Sequence, residues 1–176
     1  QYIIDSPASM SIHEETTVVA ERPMMAVMSN LVLFDQHVPQ NSLKSIRPEL
    51  ATAWSWDEEG KQLTFKLREG VKWHDGKPFT SADVQYSIME VLKPKHPRGQ
   101  SNFGPVTAVE TPDPYTVIFR LRRPQPSLLM MLASGYSPVY PAHVPLADQR
   151  SRCLGTGPFK FKEWRRGEYV EYVKNP

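Results

Sequence analysis

Apolar and polar residues alternate most clearly between Leu63 and Leu67, where Thr64 and Lys66 separate Leu63, Phe65 and Leu67. A period of two is the mark of a strand buried on one face. Glu69-Gly70 interrupts the run and Val71 and Trp73 resume it, which predicts a hairpin. His74-Asp75-Gly76-Lys77-Pro78 supplies turn chemistry. A helix is expected next, with Thr80 as N-cap, Asp83 three positions on, and Phe79 and Val84 placed for a hydrophobic staple. Val84, Ile88, Val91 and Leu92 keep one of its faces apolar at helical spacing.

The same reading extends along the chain. Tyr2-Ile3-Ile4 reads as a short strand, and Glu14-Glu15-Thr16-Thr17 as a polar loop. A helix is predicted from Pro23, because proline suits a first helical position and Met24, Val27, Met28 and Leu31 recur at i, i+3, i+4 and i+7. Leu31 to Phe34 ends that helix or begins a strand. Trp54 and Trp56 share one face of a strand, by the period of two, and Asp57 to Gly60 turns the chain back. Lys93 to Gly99 is rich in helix breakers and in basic or titratable residues, and reads as a solvated exit loop in preference to a small anion patch. Val106 to Glu110 and Tyr115 to Leu121 form a second hairpin, with Pro112 and Pro114 expected outside its ladder. A short helix spans Leu128 to Ala133. A third hairpin joins Phe159–Trp164 to Tyr169–Val173, with Phe159, Phe161 and Glu163 facing one way. Hairpins and short helices mixed in this way predict an α/β (α+β) protein.

Composition narrows the function. A net charge of +2 over 176 residues, with basic residues scattered rather than striped, gives no footprint for nucleic acid. Seventeen prolines favour a loop-rich mixed fold over a helical bundle. The apolar runs fall far short of the roughly 20 residues that span a bilayer. Cys153, the sole cysteine, forms no internal disulfide. His74, Asp75 and Cys153 are the residue types of a nucleophilic site, but adjacent residues on a turn diverge, so turn and packing roles are the stronger reading and no catalytic residue is assigned. The histidines at 13, 37, 74, 96 and 143 show no metal-ligand spacing, so neither metal nor cofactor is expected. Gly155-Thr156-Gly157 lacks the Lys-Ser/Thr of a phosphate-binding loop and opens a strand. Its glycines predict close backbone approach instead.

The phrase Phe65-Lys66-Leu67-Arg68-Glu69-Gly70-Val71-Lys72-Trp73-His74-Asp75-Gly76-Lys77-Pro78-Phe79-Thr80-Ser81-Ala82-Asp83-Val84 resembles the family 5 bacterial extracellular solute-binding proteins, the peptide- and nickel-type receptors of ABC importers. The lead-in from Pro48 to Trp54, Tyr140-Pro141-Ala142-His143-Val144 and Gly155-Thr156-Gly157-Pro158-Phe159 extend the likeness. The resemblance implies a periplasmic-binding-protein-like class II fold, of which this chain would be the N-terminal third. It divides the chain into a first-lobe segment (1–34), an inserted subdomain (35–150) and a return to the first lobe (151–176), with the second ligand lobe absent. It implies capture of a small solute (oligopeptide, dipeptide, opine or metal chelate), delivery to ABC permease subunits, and a periplasmic or lipoprotein location after removal of a signal peptide. Ligand contacts are expected around Glu15, Thr16, Thr17 and Val18, although the Asp-Pro pair that precedes this loop in the family is here Ser11-Ile12. By this reading the piece alone binds poorly and self-associates through open strand edges. The competing expectation is a stand-alone protein-interaction module.

Overall fold

The computed structural model describes residues 9–14 and 17–176, so the strand expected at Tyr2–Ile4 lies outside the described residues. Helix α1 (Val18–Met24) comes first, then strands β1 (Val32–Phe34), β2 (Ile46–Pro48), β3 (Ala51–Trp56) and β4 (Gln62–Leu67). Helix α2 (Ser81–Tyr86) runs on through a π-helical stretch, Ser87–Leu92, into α3 (Lys93–Lys95), and α4 (Gly99–Phe103) follows. Strands β5 (Val106–Asp113) and β6 (Thr116–Leu121), helix α5 (Leu128–Leu132) and strands β7 (Phe159–Arg165) and β8 (Tyr169–Lys174) complete the order. The sheets are antiparallel: a β1–β2 pair, a four-stranded sheet in the order β3-β4-β6-β5, and a β7–β8 ribbon.

The core fills the space between one face of the four-stranded sheet and the long helix. Leu63, Phe65, Val117 and Phe119 are buried on the sheet, and Val84, Ile88, Val91 and Leu92 on the helix. Phe65 and Phe119 meet edge to face at 5.6 Å, a favourable geometry for aromatic quadrupoles. The helix begins where the sequence predicts, with the Thr80 amide donating to Asp83 Oδ2 at 2.9 Å. Its Ala142 amide contact, 2.9 Å to Asp83 Oδ1, ties the same carboxylate to a distant loop. Phe79 and Val84, the staple residues, are both buried.

Several expectations change. Residues 71–73 do not pair with β4, because β3 and β6 already occupy both of its edges. Residues 71–79 instead close a small loop of their own, with Trp73 N donating to Lys77 O and Phe79 N to Val71 O. The helix expected from Pro23 starts earlier and stops at Met24. The Ala26 and Val27 carbonyls, which a longer helix would need, accept instead from the Phe159 and Gly157 amides. Met24, Val27, Met28 and Leu31 are nevertheless all core, reached through a turn and an extended segment. The helix also persists past Leu92 and takes Pro94 into α3.

The hairpin β5–β6 keeps its prolines out of the ladder: β5 runs to Asp113, but Thr111 and Pro112 fall in a register shift. In β7 a register shift between Phe161 and Glu163 breaks the expected alternation. Phe161 and Trp164 therefore both pack against the core.

The close approach predicted for the glycines before β7 is found, and at Gly155 it is the tightest approach to backbone atoms among the described glycines. A Cβ on Gly155 would stand 1.9 Å from Val27 O, and one on Gly157 2.7 Å from the same atom. Gly155→Ala should cost at least about 2 kcal/mol in urea unfolding, the scale of an overpacked core. Arg152→Ala, at a neighbouring exposed position, should stay within about 0.5 kcal/mol. Equal midpoints for the two variants would contradict this packing.

Candidate functional site

Of the residues expected to face a ligand, Glu15 and Thr16 lie outside the described residues. Thr17 is exposed at the N-cap of α1 in extended conformation, and its carbonyl accepts from Glu21 N at 3.1 Å. Val18 opens the helix. The local reason is plain: an extended Thr followed by Val-Val-Ala-Glu starts a helix turn without needing a glycine or proline.

The segment before this loop is held down firmly. Met10 N donates to Arg150 O at 2.9 Å, and Arg150 Nε pairs with Glu14 at 3.1 Å. His13 is 2% exposed and meets the Tyr140 ring edge on at 5.3 Å. Burial pushes the His13 pKa down to about 4, helped by the charges of Lys95, His96 and Arg150. Burial raises the Tyr140 hydroxyl well above its ordinary value. Ser11 Oγ, His13 Nδ1, Tyr140 OH and Gln149 Nε2 are buried without a hydrogen-bond partner. Unmet polar groups of this kind are costly, so Ser11, His13, Tyr140 and Gln149 supply buried but polar atoms to this part of the core.

The far side of α1 carries a second polar group. Burial and then the Glu21 carboxylate raise the Tyr136 hydroxyl above its ordinary pKa, and that carboxylate lies so close to bare backbone that a Cβ on Gly135 would be 1.8 Å from Glu21 Oε1. The Arg98 guanidinium stands over the Tyr136 ring, 5.5 Å from its centroid. His96 flanks the same ring at 6.0 Å and accepts the Arg98 amide on Nδ1. Pattern reading assigned none of these residues to a site. Arg98 sat in a loop taken for solvated surface, and the Gly135-Tyr136 pair was the only local cue to a close contact.

The residues with catalytic chemistry are engaged elsewhere. His74 Nε2 bonds Gly157 O at 2.9 Å while His74 N donates to Gly155 O at 3.0 Å. A carbonyl only accepts, so Nε2 carries the proton. Asp75 pairs with His143 at 2.8 Å and accepts the Lys77 amide. Burial pushes the Cys153 thiol up to about 12, far from the thiolate that a nucleophile requires. Among the described residues no group of three or more His, Cys, Asp or Glu side chains is placed to hold a metal ion, and no helix is long and apolar enough to cross a membrane. A cleft of about 450 Å³ at the β3 edge is lined by Leu43, Trp54, Trp56, Pro124, Pro126 and Leu129. It offers apolar contact and no titratable group.

The family model described as bacterial extracellular solute-binding proteins, family 5 middle, matches residues 45–176. The chain is 34% identical over 157 residues to a putative ABC transporter peptide-binding protein of Brucella ovis, covering 83% of this chain and 28% of that protein. It is 32% identical over 200 residues to di/tripeptide-binding protein 4 of Pseudomonas aeruginosa, covering 97% and 36%. Among solved structures it superposes on AgaA of A. tumefaciens R10, in complex with agropinic acid, with a TM-score of 0.83, 30% identity and coverage of 97% and 34%. It superposes on AppA of Bacillus subtilis, in complex with a nonapeptide, with a TM-score of 0.82, 27% identity and coverage of 98% and 35%. The fold is thus that of the periplasmic binding proteins, and the chain spans about a third of the length of the proteins it matches.

The burial of His13 makes stability depend on pH. His13 has a folded pKa depressed below the ordinary 6.5. Its contribution is therefore complete above about pH 6.5 and is lost as pH falls toward 4, where the unfolded chain binds the proton first. The loss should be on the order of 3 kcal/mol. Urea unfolding between pH 7 and 4.5 should show a steep fall in the wild type and a shallower one in His13→Gln; parallel slopes would contradict the assignment.

Proposed function

The chain belongs to the bacterial extracellular solute-binding proteins of family 5, and on that premise we propose that it serves an ABC importer as part of the solute receptor. The observation that carries this reading is the family match over residues 45–176 together with agreement in fold along nearly the whole chain. The solute is a short peptide or a chemically similar small molecule, handed to the permease subunits of the importer. The site of action is the periplasm or the outer face of a cell membrane.

In this reading residues 1–34 and 151–176 form one ligand lobe and residues 35–150 an insert within it. Contacts between the two outer segments support the division: Gly157 N to Val27 O, Phe159 N to Ala26 O and Tyr172 OH to Pro23 O at 2.8 Å. The Glu15–Val18 loop, carried by α1, faces the solute, and a second lobe completes the cleft by hinge closure. The 176 residues alone then offer half a cleft, and the β8 edge is free to pair with another copy. The apolar cleft at Trp54 and Trp56 favours the other reading, a protein-interaction module.

Titration calorimetry separates these readings. Trialanine, mannopinic acid and nickel–histidine would each be titrated into the complete gene product and into the 176 residues alone. The receptor reading expects one of these classes to bind the complete product at micromolar strength or tighter, and the 176 residues at least about tenfold more weakly. Silence from every solute would contradict the receptor reading, and equal affinity of the two chains would contradict the half-cleft.

A further inference from the structure

Two buried imidazoles lie against one strap of chain, residues 136–140. His13 meets the Tyr140 ring edge on, and His96, 4% exposed, tilts against the Tyr136 ring. The strap is anchored by bonds that carry no titratable group: Val139 N to Ser29 O at 2.9 Å, Tyr140 N to Ser87 Oγ at 2.7 Å and Ser137 Oγ to Met131 O at 2.7 Å. His13 brings residues 10–14 onto it. His96 brings the turn at residues 96–99, which is closed by Gly99 N to His96 O at 2.8 Å and Arg98 N to His96 Nδ1 at 3.0 Å.

Both rings are placed for the neutral state. The His96 Nδ1 lone pair accepts the Arg98 amide, so the ring proton sits on Nε2, and a second proton enters only by breaking that bond. His13 Nδ1 and His96 Nε2 are buried with no hydrogen-bond partner. A charged ring carries hydrogen on both nitrogens, and a buried charge without acceptors is costly. The neighbouring charges deepen the cost: Lys95, Arg150 and His96 act on His13, and Arg98 acts on His96. Of the carboxylates on this side, Glu14 is paired with Arg150 and Glu21 acts on Tyr136. Burial keeps Tyr140 and Cys153 neutral. Among the described residues neither ring forms an ion pair.

We propose that His13 and His96 form an acid-released latch: neutral, each fastens its own segment to the strap, and protonated, each frees it. Histidine is the side chain suited to such a switch, since its charge changes near neutral pH. Burial lowers the pKa of both rings, that of His13 to about 4. The latch is therefore complete above the ordinary value of 6.5 and is lost as pH falls toward 4. Each proton taken up on opening raises the opening constant about tenfold per pH unit. Helix α1 begins at Val18, close after Glu14, so release of residues 10–14 loosens the chain that leads into the solute loop. Weaker solute binding in acid is the consequence, and that step rests on the receptor reading.

The test is hydrogen exchange of the complete gene product at pH 7 and pH 5, with each rate divided by that of an unprotected amide. In the wild type the Arg98 and Glu14 amides should open at least about tenfold more often at pH 5 than at pH 7, and more often than the Phe65 amide in the sheet. His96→Gln should flatten the response at Arg98 and keep that at Glu14, and His13→Gln should do the reverse. Where a variant does not fold, the wild type decides alone. Equal opening at the two pH values, or opening at Arg98 and Glu14 that matches Phe65 at both, would overturn the latch. Calorimetry with trialanine and mannopinic acid at the same two pH values reads the consequence. The wild type should lose at least about tenfold more affinity in acid than the double variant His13→Gln/His96→Gln. An equal loss in both would overturn control of the solute by the latch. Silence from both solutes would count against the receptor reading, and exchange would still decide the latch.

Discussion

Where Gly155 and Gly157 press against the carbonyl of Val27, three distant parts of the chain meet. The Gly157 and Phe159 amides bond the Val27 and Ala26 carbonyls, and the carbonyls of Gly155 and Gly157 accept from the backbone and ring of His74. Asn175 Nδ2 adds a second bond to Gly157 O at 3.1 Å. Any side chain at 155 or 157 would push these segments apart, since the nearest atoms are backbone that cannot swing away. The arrangement also explains why α1 stops at Met24 and why His74 is no base: the same few carbonyls and amides serve both ends of the contact.

A second crossing lies at Asn30. Its side chain donates to the carbonyls of Leu132 and Ser134, its amide to Glu49 Oε2 at 2.8 Å, and its carbonyl accepts from Leu50. Burial raises the Glu49 pKa, opposed by the Asn30 bond. Together the two crossings fix the segment from Met24 to Leu31 between the β7–β8 ribbon and the four-stranded sheet. Helix α1, which carries the proposed solute loop, is the direct extension of that segment. Its orientation follows from the backbone bonds at Gly157 and Phe159 and from the side chain of Asn30.

Much of this was legible in sequence because it is local. The Thr80–Asp83 cap, the buried helix face and the shared face of Trp54 and Trp56 each follow from a few neighbouring residues. The misread elements depend on partners far along the chain. Val71–Trp73 reads as a strand until β3 and β6 take both edges of β4, and the stripe from Met24 to Leu31 reads as a helix until residues 157 and 159 take its carbonyls. The alternation in β7 fails at one extra residue, Lys162, which no pattern announces. The glycines before β7 were an exception, since absent side chains at 155 and 157 signalled close approach without naming what approaches.

The account makes the 155–157 junction a single cooperative contact on which the placement of α1 and of the insert depends. Native-state hydrogen exchange at His74 N, Gly157 N and Phe159 N measures that directly. One shared opening free energy for the three amides is the predicted result. A His74 amide that exchanges through its own opening, about tenfold or more faster than the amides of Gly157 and Phe159, would contradict it.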